Sequence, residues 1–266
     1  MGTPDPLIDI HCHLLPDLDD GASSWQESLA MAELAVSDGV TGIVATPHQL
    51  GAYRHNTPDR IHRRLNKLRD LLQEKGISLQ VLPGADVRIE SDLLERLDGG
   101  DLVTLADHGK HLLLEFPHDI IVPVDSILQA LTSRQIQPIL THPERNRRVI
   151  RQWPLVEQLV EKGCLIQVTA GAFLGSFGPA IRAFAEWLVS ERLVHFVASD
   201  AHGSRSRRPL LSRAFHRVAQ ISDIDFAIEV FCDNPYRVVR GEVVPVLARE
   251  HRRYRFAQWF RWRKAG

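Results

Sequence analysis

The chain has 266 residues, 44% of them apolar and 24% charged, with a net charge of −1. That is the profile of a globular protein with a real core, and it excludes a nucleic-acid binder driven by bulk charge. No apolar run approaches the roughly 18 residues that cross a bilayer, the start MGTPDPLID does not read as a signal peptide, and Cys12, Cys164 and Cys232 are too few and scattered for a disulfide framework, so the cytoplasm is the expected address.

The first apolar run, LIDIHCH, ends on His11 and His13, and the loop LLPDLDDGA carries Asp19 and Asp20 towards a helix near 24–38. GIVATPH ends on His48 ahead of a helix near 58–75, and LQVLPGADVRI reads as one third strand holding Asp86. HLLLEF, with Glu115, precedes a helix near 124–134, and PILTHP, with His142, precedes one near 153–162. LIQVTA leads to a helix near 178–190, and VHFVASD, with Asp200 and then His202, leads to one near 209–220. Near-continuous Val, Ile and Leu runs predict strands buried on both faces, as in helix-covered parallel sheets. Strict strand–helix alternation is the α/β pattern. Seven such strands, with no linker and no internal repeat, predict one barrel-like domain over residues 1–266, since a single α/β barrel commonly takes about 250 residues.

The polar residues sit at the C-terminal ends of these strands, the face on which parallel barrels place their chemistry. On a strand, residues two apart share a side, so His11 and His13 can grip one ion. That pair alone is weak: 13 histidines in this length produce roughly half a His-x-His by chance. Imidazoles and carboxylates at successive strand ends are a far stronger signal. A set without cysteine suits Mn²⁺, Fe²⁺ or Zn²⁺. So many donors exceed the demand of one ion, and two or three ions could together hold a phosphate and activate a water, so hydrolysis is the expected chemistry.

The stretches IDIHCHLLPDLDDGA, TPH, PGADVRI, LLLEFP, THPERN, QVTAGAFLGSFG and SDAHGSRSRRP run in order from residue 8 to 209. With them the chain resembles the polymerase and histidinol phosphatase superfamily, and within it the manganese-dependent tyrosine-protein phosphatases of bacterial capsule and exopolysaccharide gene clusters. The resemblance implies a distorted seven-stranded (β/α) barrel, TIM-like, with a trinuclear centre. It implies that His11, His13 and Asp200 hold one ion, Glu115 and His142 a second, with Asp86 bridging these two, and Asp20, His48 and His202 a third. Asp20 is chosen over Asp19 because the family's ligand directly precedes glycine. The family usually has glutamate at Asp86; the shorter aspartate predicts altered affinity at one of the bridged sites.

Arg145 lies three residues past His142 and Arg207 five past His202. Their planar donor forks suit phosphate oxygens, and the resemblance makes them the substrate-phosphate arginines. The implied partner is a phosphotyrosine protein, a bacterial tyrosine autokinase. A histidinol-phosphatase-like enzyme, a phosphodiesterase of the superfamily, or a binding module with a decayed bridge are the alternatives. No Cys-x5-Arg and no Gly-x4-Gly-Lys phosphate loop occurs. In TAGAFLGSFG, Phe173 and Phe177 either pack on a phosphotyrosyl ring or belong to the core. The basic aromatic tail 249–266 either packs on the barrel or docks on an anionic membrane or partner. The remaining histidines have no motif, and the oligomeric state is left open.

Overall fold

The computed structural model describes residues 6–246; the basic tail 249–266 lies outside the described residues. Nine strands run through it: β1 (Leu7–Cys12), β2 (Val40–Ala45), β3 (His48–Gln49), β4 (Gln80–Pro83), β5 (Asp86–Arg88), β6 (His111–Glu115), β7 (Gln137–Thr141), β8 (Leu165–Thr169) and β9 (Phe196–Ala198). All pairings between them are parallel, in the orders β1-β2-β4 and β3-β5-β6-β7-β8-β9. The expected second and third strands are each cut in two, at Thr46–Pro47 and Gly84–Ala85. Pro47 has no N–H for a ladder. Gly84 lies so close to β2 that a Cβ would come within 2.6 Å of Val44 Cγ1. The Asp86 N–H still bonds to Pro47 O at 3.1 Å, so the broken pair stays in step.

The first and last strands meet through an isolated parallel bridge between Cys12 and Ala201. The His13 N–H donates to Ala201 O (2.9 Å) and the Asp200 N–H to His11 O (2.8 Å). Seven strand positions thus make the distorted (β/α) barrel. Ile8, Ile10, Val44, Leu113, Ile139, Leu165 and Phe196 fill its interior. The outward-facing strand residues share the larger core with the helices.

Those helices are α1 (Trp25–Ser37), α2 (Pro58–Lys75), α3 (Leu93–Asp98), α4 (Asp125–Ser133), α5 (Arg147–Arg151), α6 (Pro154–Glu161), α7 (Ala170–Phe173), α8 (Pro179–Ser190), α9 (Ser212–Ile221), α10 (Ile224–Ile228) and α11 (Asn234–Val239). In α2, Thr57 caps the Arg60 N–H, Pro58 suits the first turn, and Gly76 stops the helix at φ 66°. Its buried face is Ile61, Leu65, Leu68 and Leu72, a helical spacing. Burying each such side chain stabilises by about 1.5–3 kcal/mol.

Segments α3, α5, α7 and α10–α11 were not among the expected elements. The first three are too short for a periodic signal. Between α10 and α11 a π turn at Glu229–Asp233 shifts the phase, and Asn234-Pro235 reads as a turn, although Pro235 here opens a helix. Beyond α11 the chain crosses the far end of the barrel. Val238 and Val244 join the interior cluster there, and Gln137 binds Val244 through both its N–H (2.8 Å) and its carbonyl (2.9 Å).

Candidate metal centre

A register shift between Asp9 and Cys12 interrupts the alternation of β1. Ile10 therefore stays with the apolar interior while His11 joins a polar layer above it. His11 Nε2 and His13 Nε2 lie 3.2 Å apart. The other residues reach this layer from loops or strand ends, some with strained backbone. His142, Asp200 and Arg207 have φ of 32°, 49° and 46°. Left-handed backbone is costly for non-glycine residues and persists only where the surroundings enforce it.

Asp86 is fully buried at the centre. Its Oδ2 lies 3.3 Å from His48 Nδ1, 3.6 Å from His11 Nε2 and 4.0 Å from His142 Nε2. No hydrogen-bond donor satisfies that oxygen. Asp200 Oδ1 sits 3.5 Å from His11 Nε2 and 3.6 Å from His13 Nε2. Glu115 reaches His142 Nε2 (3.7 Å) and His48 Nδ1 (3.8 Å). Asp20 faces His48 Nε2 (3.6 Å) and His202 Nε2 (3.5 Å).

All nine residues expected to be ligands thus converge. Within 4.8 Å of one another, their donor atoms form overlapping sets: His13, Asp20, His48 and His202; His11, His142 and Asp200; His11, His13 and Asp86; His48, Asp86 and Glu115. His13 thus stands in two of these sets, one of them with the Asp20 group. An orphaned buried carboxylate oxygen facing several imidazoles, with only N and O donors, fits divalent cations of the Mn²⁺, Fe²⁺ or Zn²⁺ kind.

Two of the imidazoles are neutral, as ligands must be. Burial strips the proton from His13 and His142, which fall to about 4 and about 3 despite the neighbouring Asp19 and Asp200. Burial also opposes charge on His48, but Asp86, Glu115 and Asp19 outweigh it and raise this histidine to about 10, so it holds a proton that a bound cation would have to displace. Burial, reinforced by the Asp86 charge, raises Glu115. Asp200 keeps its charge despite burial, because His11, His142 and Arg207 hold its carboxyl well below the ordinary range.

Behind the donors stands a second layer. Asp19 Oδ2 receives His13 Nδ1 (2.7 Å) and the His48 backbone N–H (2.9 Å), while its Oδ1 receives the Gly21 N–H (2.9 Å). This leaves His13 Nε2 as the ring nitrogen that could face a cation. Gly21 is obligatory, since a Cβ there would lie 2.4 Å from His13 O. Gln167 Oε1 does for His11 Nδ1 (2.9 Å) what Asp19 does for His13.

Asp200 Oδ2 is held by both arginines: Arg145 Nη1 donates at 2.5 Å and Arg207 Nη2 at 2.6 Å. Each neighbour of Arg145 in the segment PERN is anchored. Buried Glu144 accepts the Thr169 N–H (2.8 Å), and Asn146 caps α5 at Arg148 and Val149. The arginines, His142, His202 and Glu115 line a cavity of about 160 Å³, whose apolar lining residues are Phe116 and Pro143.

The family model described as "Capsular polysaccharide synthesis, CpsB/CapC" matches residues 7–240. The chain belongs to this family. It is 39% identical to the tyrosine-protein phosphatase YwqE of Bacillus subtilis over 202 residues, 76% of this chain and 79% of that protein. To the tyrosine-protein phosphatase CpsB of Streptococcus pneumoniae it is 28% identical over 244 residues, covering 90% of this chain and all of the other. A solved structure from work on YwqE and CpsB, described as unique metal-dependent tyrosine phosphatases, superposes with a TM-score of 0.87 at 33% identity, covering 91% of this chain and 97% of that one.

Other residues of this CpsB/CapC chain sort by position. Phe173 is core, whereas Phe177 is half-buried beneath Arg145. Tyr53, with no motif of its own, stacks on His48 at 5.3 Å. Asp19, Gln167, Glu144 and Asn146 were given no role from sequence; only Asp19, beside Asp20 in DDG, carried a signal. Cys12 is no thiolate, since burial and then Asp9 push its thiol well above the ordinary range. His111 and His195 are buried away from the centre, and His118 is almost fully exposed. No described helix is long and apolar enough to cross a membrane.

Proposed function

We propose that the chain is a metal-dependent tyrosine-protein phosphatase of bacterial capsule or exopolysaccharide synthesis, acting in the cytoplasm on a phosphotyrosine protein, a bacterial tyrosine autokinase. The observation that carries this reading is the shared mouth: nine convergent N and O donors with two arginines turned onto one of their carboxylates. His11, His13, Asp20, His48, Asp86, Glu115, His142, Asp200 and His202 would hold two or three ions, manganese first among the candidates. Bound ions supply charge neutralisation and a water acidified to near-neutral pKa. Arg145 and Arg207 present planar forks to the phosphoryl oxygens, orient the ester and offset the charge that spreads over them in the transition state. A tyrosine leaves as a phenolate of pKa about 10, so no strong general acid is required. Phe116 and Pro143 are the apolar residues of the cavity's lining, and an aryl group would rest against them.

The deciding experiment compares metal-stripped protein with protein loaded with Mn²⁺, Fe²⁺ or Zn²⁺. A phosphotyrosine peptide, histidinol phosphate and bis-p-nitrophenyl phosphate serve as substrates. Metal-dependent turnover is expected to favour the peptide. Preference for histidinol phosphate or the diester, or stoichiometric metal without turnover, would replace the reading.

A further inference from the structure

Arg145 is held on two sides. Its Nη1 meets Asp200 Oδ2, and its guanidinium carbon lies 4.8 Å from the centre of the Phe177 ring. The ring is itself gripped by the glycine-rich turn after β8. A Cβ at Gly171 would come within 3.2 Å of Phe177 Cε2 and 3.3 Å of Ser176 Oγ, so a side chain there would push the ring by a few tenths of an ångström. The Ser176 N–H closes the turn onto Gly171 O at 3.0 Å, and the Gly178 N–H onto Gly175 O at 3.1 Å. Gly175 and Gly178 take φ of 80° and 94°, which other residues rarely adopt. The whole segment delivers one aromatic face to one guanidinium.

We infer that Phe177 is a positioning residue for Arg145. Its ring fixes the plane of the guanidinium fork rather than stacking on a substrate ring. The substrate named here rests on the phosphatase reading above. Asp200 carries a single charge, and Arg145, Arg207, His11 and His13 all converge on it. A cation that shares Asp200 weakens its hold on Arg145. The aromatic face then remains as the contact that keeps the fork turned to the cavity. Because Arg145 covers that face, an incoming aryl group has to find its apolar surface elsewhere, and Phe116 and Pro143 provide it.

Manganese-loaded protein would be assayed with p-nitrophenyl phosphate and, separately, titrated calorimetrically with inorganic phosphate. Phe177→Leu keeps the apolar bulk and removes the π face. It is expected to raise KM and weaken phosphate binding about tenfold, with metal content and melting temperature unchanged. Phe177→Tyr keeps the face and should stay within about twofold of the parent protein. In an Arg145→Ala background the leucine should add nothing to the loss of phosphate binding. Parent-like values for Phe177→Leu, equal damage from Phe177→Tyr, or a full effect without Arg145 would each overturn the inference. Should Phe177→Leu not fold, Phe177→Met takes its place in the same three comparisons. If the parent protein binds phosphate but hydrolyses no monoester, the proposed function fails, and the phosphate titration alone still judges Phe177.

Discussion

His11 and His111 are both fully buried histidines on barrel strands, one near the end of β1 and the other opening β6. Around His11 stand Asp86, Asp200 and His13, all within 3.6 Å of its Nε2. Around His111 there is a neutral amide, with its Nε2 3.2 Å from Gln137 Oε1, and burial lowers it to about 4. The two ends of the barrel are thus built on opposite principles. The far end is closed by amide hydrogen bonds and the apolar Val238 and Val244. The near end concentrates more carboxylates than its two arginines pair with, and cations would balance the excess. Burial of a histidine therefore says little about function; convergence with unpaired carboxylates says much.

Substitutions at the two ends should separate accordingly. Arg145→Ala should lower kcat/KM on p-nitrophenyl phosphate about 10²–10³-fold without altering the melting temperature; His11→Ala should abolish turnover together with part of the metal content, read by elemental analysis. At the far end, Val244→Asp buries a charge beside Val238 and the Gln137 amide and should lower stability by about 3 kcal/mol in urea titrations. Metal affinity of the folded fraction should not change. A fall in metal affinity there would erase the distinction between the ends.

His111 sharpens it through pH. Its folded pKa lies below the unfolded value of 6.5, so the unfolded chain binds the extra proton. Its contribution is fully present above pH 6.5 and is lost as the pH falls through about 4. Replacing it with asparagine should flatten the acid limb of the stability curve of chelated protein by up to about 3 kcal/mol. The smallest effect is expected at Asp19, which orients donors without being one of the nine: Asp19→Asn should weaken metal binding about 10–100-fold with the fold retained. An unchanged affinity would remove Asp19 from the support of His13.

Much of the near end was legible because strand ends are short and chemically loud. His11, His13, His48, Glu115, His142 and Asp200 each terminate an apolar run, so alternation of strand and helix was enough to bring them to one face. Apart from Asp19, the supporting layer was silent. Gln167 lies inside an ordinary strand, and Glu144 and Asn146 act through a backbone N–H, a cap and a turn. Two of the partners are remote in sequence: Thr169 for Glu144, and His11 for Gln167, which lies 156 positions away. The break in strands two and three was hidden for a similar reason. GIVATPH and LQVLPGADVRI read as continuous; Pro47 lies at the first break, while the close approach of Gly84 to Val44 at the second shows only in the fold.

The order of strands and helices and the polar strand residues His11, His13, His48, Asp86, Glu115, His142 and Asp200 follow from patterns within a few residues, because hydrophobic periodicity is a local property; Asp20, which faces His48 and His202, is supplied by the family resemblance. Tertiary structure alone decided that His13 joins two donor sets, that Asp200 Oδ2 holds both arginines, and that Phe177 lies under one of them. Those facts depend on distances between side chains brought together by barrel closure, and no local pattern encodes a distance across the barrel.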